Sequence, residues 1–175
     1  MFNSNRKDLP IKETVIAVLI FLFTSSGIIT LKIAGAMPFL LLPFAICVAM
    51  YKGEVIGLFF GFFCGILADI GFVNDTVFNT VFLSITGFLV AVAVKYFFNR
   101  NLPALIVMTI IISFLYYGIK WLFGCYFPDV QGKIYYLLNI SLPSAFYTSF
   151  FSLPFYFLEK YLTKNKNKKS EIKSE

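Results

Sequence analysis

Histidine is absent from this chain of 175 residues. That removes imidazole acid–base chemistry, Ser–His and Cys–His nucleophile pairs and most zinc sites. Charge is scarce too: Asp, Glu, Lys and Arg supply 14% of the residues, where a soluble domain carries about a quarter. Cysteine occurs only as Cys47, Cys64 and Cys125, with no CxxC pair, and small buried apolar roles suit all three. There is no GxxxxGK[ST] phosphate loop, and Asp69, Asp75 and Asp129 are not clustered at ligand spacing. An enzyme is therefore the weakest class for this sequence, and no metal or cofactor is expected.

What the chain has is apolar bulk. Hydrophobic residues make up 59% of it, with 23 Phe. A globule of 19.9 kDa cannot hide that much Phe, Leu and Ile, so lipid must solvate it. The expected fold is an all-α integral membrane protein of one domain. The first apolar run is too long for a signal peptide and no small-residue cleavage site follows it, so it reads as a retained span.

Apolar segments lie near 13–32, 36–51, 54–72, 77–98, 102–124 and 134–158. Several approach the ~20 residues that cross a hydrocarbon core as helix. The second is short and holds Pro38 and Pro43; it is expected to be kinked, or irregular at its start and shielded by protein. Pro143 and Pro154 predict bends in the last run. The count is six spans, with five and a re-entrant second run as the alternative. Six spans put twelve of the fifteen Lys and Arg on the side of the N-terminus. The positive-inside rule then makes both termini cytoplasmic. The expected organisation is a cytoplasmic segment 1–12, a six-helix domain 13–162 and a basic, disordered cytoplasmic tail 163–175. The tail reads as orienting and solubilising, with attraction to anionic membrane lipids as the alternative. It supplies half of the +6 net charge, so nucleic-acid binding is not inferred.

The segment GLFFGFFCGILAD, residues 57–69, is the most informative. Gly57, Gly61 and Gly65 stand four apart, Asp69 is one further step, and Gly53 begins the same spacing. In lipid, helices associate through close packing, and glycines at this spacing clear a groove for another backbone, favouring a right-handed crossing. The partner helix could be internal or foreign. Phe59, Phe60, Phe62 and Phe63 are left to face lipid or fill gaps. Asp69 lies ~22 Å above Glu54 at a ~1.5 Å rise per residue. An acid at that depth must be paired, protonated or wetted, unless it merely marks the helix end; Lys120, Asn79 and Asn139 are conceivable partners.

Residues from Pro38 to Val90, PFLLLPFAICVAMYKGEVIGLFFGFFCGILADIGFVNDTVFNTVFLSITGFLV, resemble the MreD family of bacterial rod-shape-determining membrane proteins. Pro38 matches an opening proline, and Gly61, Phe62, Gly65 and Asp69 match a central G-F-x-x-G-h-h-x-D motif. The resemblance spans about residues 37 to 100. It departs at Val77, where many family members have glycine. It implies a multi-pass, non-enzymatic scaffold of the cell-wall elongation machinery in the bacterial cytoplasmic membrane, maintaining rod shape by binding MreC. RodA, a class B penicillin-binding protein and MreB are implied as companions, and a partner's single span is implied for the glycine groove. MreD-like chains also resemble the six-span substrate-capture subunits of energy-coupling-factor vitamin transporters. That alternative uses Ala45 and Ala49 as a docking pair, and an outer set including Lys120, Trp121, Asp129 and Asn139 as ligand contacts.

Overall fold

The computed structural model describes residues 11–26, 38–71, 77–97, 101–126 and 141–172. All are helical or short connections, with no strand among them. The helices are α1 (Ile11–Ser25), α2 (Leu41–Lys52), α3 (Glu54–Gly71), α4 (Phe78–Tyr96), α5 (Leu102–Tyr126), α6 (Leu142–Phe150) and α7 (Ser152–Ile172). Only Phe151 separates α6 from α7, and its N–H still bonds Tyr147 C=O. The pair is one interrupted helix, so six helical columns stand where six apolar runs were read. The interruption comes just before Pro154, which has no N–H to continue the ladder.

Cross-helix contacts fix the directions. Lys52 at the end of α2 meets Glu13 at the start of α1, and Gly57 of α3 lies against Ala49 of α2 and Gly87 of α4. Tyr116 of α5 bonds Asn79 at the start of α4. The rings of Phe155 and Tyr156 pack at a tilt against Phe44 and Tyr51, so α7 runs parallel to α2. Successive columns therefore alternate, and the start of α1 and the course of α7 share one end of the bundle. We call it the Gly53 end, and the opposite end the Asp69 end.

Helix α2 is the axis, with every residue from Leu41 to Tyr51 buried. Its short length has a local cause. Pro38 and Phe39 precede it in non-helical backbone and Leu40 is its N-cap, and Pro43 stands in its first turn, where a missing N–H breaks no intrahelical bond. The irregular approach is covered by protein: Phe39 N–H donates to Thr148 Oγ1 of α6 at 3.0 Å, and the Phe39 ring stacks on Tyr116 at 5.0 Å. Backbone of this kind survives at membrane depth only when shielded in this way.

Two expectations need correction. The tail from residue 163 was expected to be disordered, but α7 continues to Ile172; extending an existing helix avoids the cost of nucleation, and Lys and Glu are adequate helix formers. The glycine run is also not one feature. Gly53 has φ +96° and closes the turn between α2 and α3, with nothing near its Cβ direction. A left-handed residue there calls for glycine, and only the other three glycines form the groove.

Candidate functional site

The face of α3 that bears Gly57, Gly61 and Gly65 lies against α4, the most extensive helix pairing in the protein. A Cβ on Gly57 would come within 2.7 Å of Gly87 O and 2.9 Å of Ala49 Cβ. One on Gly61 would strike the Leu83 carbonyl, and one on Gly65 would meet Thr80 Cα and, at 2.8 Å, Asn79 O. Gly87 of α4 is equally tight against Gly57 O. Backbone thus meets backbone along three turns, the geometry that small residues permit in lipid. The groove's occupant is internal. The span of another protein that the family resemblance implied for it has no room, because α4 fills it.

Asp69 closes this seam. Its Oδ1 accepts the N–H of Asn79 at 3.1 Å, and its Oδ2 accepts the N–H of Thr80 at 2.9 Å. The Thr80 hydroxyl donates to the same Oδ2. Phe78 is the first residue of α4, so these are the second and third helical N–H groups, the donors an N-cap side chain normally serves. The residue at the cap position is Val77, which has no side-chain acceptor. Asp69 caps α4 from the neighbouring helix, and the partial positive charge at the α4 N-terminus compensates its own charge. Of the partners considered for it, Asn79 is the right residue through its backbone, while its side-chain Oδ1 accepts from Tyr116 Oη at 2.7 Å.

Val77 itself has φ +55°, a left-handed conformation that is a true outlier for a β-branched residue. It is the position where the sequence departs from a family glycine. Glycine would adopt that backbone without strain.

Phe62 is the motif residue that points away from the seam, 46% exposed, next to Phe59 and Ile66 on the outer face of α3. Phe60 turns inward onto Phe44, and Pro38 is buried ahead of α2. Of the residues suggested for a small ligand, Lys120 and Trp121 are among the described residues. Lys120 Nζ lies over the rings of Tyr116 and Phe78, at 4.9 and 6.0 Å, and Trp121 is half-buried. Asp129 and Asn139 fall outside the described residues. Ala45 and Ala49 are buried in the core, and so cannot dock a partner from outside.

The Gly53 end holds an ion pair that sequence reading missed. Glu13, 2% exposed, pairs with Lys52 at 2.7 Å and ties α1 to α2. Glu159 is fully buried, close to Cys47 and Tyr51. Opposite charges at the mouths of two adjacent spans were the available signal for this pair, but Lys52 had been read only for orientation and Glu13 not at all. Glu54 at the start of α3 bonds Lys95 near the end of α4 at 2.7 Å.

No curated protein and no solved structure matches this chain. The profile of the family described as rod shape-determining protein MreD matches residues 9–165. The chain belongs to the MreD family, a membrane-protein family whose role is determining rod shape and which is not a known enzyme family.

Proposed function

We propose that this chain is a multi-pass, non-enzymatic scaffold of the bacterial cell-wall elongation machinery, seated in the cytoplasmic membrane. MreC is its direct partner in this reading, with RodA, a class B penicillin-binding protein and MreB in the same assembly. The family match over residues 9–165 is the observation that carries the proposal. Two helices, Phe78–Tyr96 and Leu102–Leu122, are long and apolar enough to cross a membrane. The 18 residues of α3 extend roughly 27 Å at the helical rise, close to the thickness of a hydrocarbon core. Lys52, Lys95 and Lys160 all belong to the Gly53 end, which the positive-inside rule assigns to the cytoplasm. Both termini are then cytoplasmic.

Gly57, Gly61, Gly65 and Asp69 serve partner binding indirectly in this reading, by holding α3 and α4 as one rigid unit. Phe62 supplies the direct contact. It is the one residue of the central motif left outside the hairpin, and an aromatic side chain on a fixed helix face is a suitable anchor for a partner span.

The test is affinity purification of the tagged protein from its native membranes in mild detergent, with mass spectrometry of what co-elutes. The wild type should recover an MreC-like protein. Phe62→Ala should recover much less while melting at the wild-type temperature. Undiminished recovery with Phe62→Ala would move the contact to another face. Recovery of ATP-binding-cassette subunits in place of elongation proteins would refute the scaffold reading.

A further inference from the structure

We infer that the protein holds an internal water molecule between α4 and α5, bound by the Asn79 amide and the Ser113 hydroxyl. Both residues are fully buried. Asn79 Nδ2 and Ser113 Oγ have no hydrogen-bond partner, although buried polar groups in native proteins are almost always paired, with protein or with ordered water. The other half of the Asn79 amide is engaged, since Oδ1 accepts from Tyr116 Oη. The NH₂ group is therefore fixed in place and cannot turn away to find another acceptor.

Several buried hydroxyls of these helices are satisfied locally. Thr86, Thr109, Ser149 and Ser152 each bond back to a carbonyl three or four residues earlier, the default for a hydroxyl in apolar surroundings. Ser113 does not. It lies one turn before Tyr116, on the same face of α5, and a helical tyrosine leans back over the preceding turn. The bond from Tyr116 to Asn79 thus brings the unpaired NH₂ and the unpaired hydroxyl to the same level between the helices. The two helices meet there through side chains, Tyr116 of α5 reaching Asn79 and packing on Phe78 and Phe82 of α4. A water accepts from Nδ2 and either donates to or accepts from Oγ, which satisfies both groups. This assignment is independent of the scaffold reading.

Radiolytic hydroxyl labelling of the full-length protein in lipid nanodiscs tests it, because radicals made from a bound water oxidise the side chains around that water. Tyr116, 2% exposed, should be labelled clearly above Phe44 and Met50, which are 0% and 1% exposed in the dry core. Ser113→Ala should remove most of the Tyr116 labelling while leaving the melting temperature near that of the wild type. Tyr116 labelling no higher than that of Phe44 would overturn the assignment. So would unchanged labelling in Ser113→Ala, which would mean that the radicals come from bulk solvent.

Discussion

The α3–α4 hairpin is closed at both ends by a carboxylate from α3, in two different ways. At the Gly53 end Glu54 meets the Lys95 ammonium with the two side chains 28% and 38% exposed. At the Asp69 end a half-buried carboxylate meets backbone N–H groups that have no other partner within the helix. A surface ion pair competes with water and orders two long side chains, so it contributes little. A cap satisfies donors that would otherwise be stranded in an apolar setting, where an unmade hydrogen bond is expensive. The same charge on the same helix is therefore structural at one end and nearly dispensable at the other. Between them, the glycines set the distance that both must span.

Five substitutions sharpen that contrast, and thermal unfolding followed with a thiol-reactive dye reports them. Cys64 lies in α3 and Cys47 in α2, both fully buried, so either becomes reactive only when the bundle opens. Gly61→Leu should act most strongly, destabilising by about 3 kcal/mol or more, because the new side chain meets the Leu83 backbone and not a yielding side chain. A wild-type midpoint for it would mean that α3 and α4 are not in backbone contact. Asp69→Ala should cost about 2 kcal/mol, from the lost cap and the stranded N–H groups. Asp69→Asn, which keeps one acceptor oxygen, should fall between it and the wild type; equal midpoints for all three proteins would remove Asp69 from the seam. Val77→Gly should raise stability by about 1 kcal/mol by relieving the left-handed strain, and a loss in its place would show that the valine side chain matters more than its backbone. Glu54→Gln should leave the midpoint unchanged within error. A drop as large as that of Asp69→Ala would erase the difference between the two ends.

The helical columns were legible because long apolar runs broken by Lys, Gly and Pro leave few alternatives. The glycine groove was legible as a groove, since three glycines at intervals of four have little other use in such a segment. Its occupant was not legible. The same spacing suits an internal helix or a foreign one, and the small-residue pair Gly87 and Ala91 in α4 does not by itself mark the partner. For Asp69 a buried polar contact and a mere helix-end marker were both open. Its ligands are main-chain N–H groups, however, which every residue but proline possesses, so no sequence pattern identifies them. Glu13 and Lys52 were hidden for a related reason: pairing across 39 positions depends on how α1 leans against α2, and the period of neither helix encodes that.

The cap on α4 also orders events during synthesis. Asp69 precedes Asn79 by ten positions, and the ribosome delivers α3 before α4 exists. In the membrane setting proposed above, the carboxylate until then has nothing to bond, and the glycine face of α3 has nothing against it. An unsatisfied acid at that depth is costly enough to hold a helix back from lipid. The two helices are therefore suited to leave the insertion machinery together, as a folded hairpin whose second arm neutralises the defect in its first.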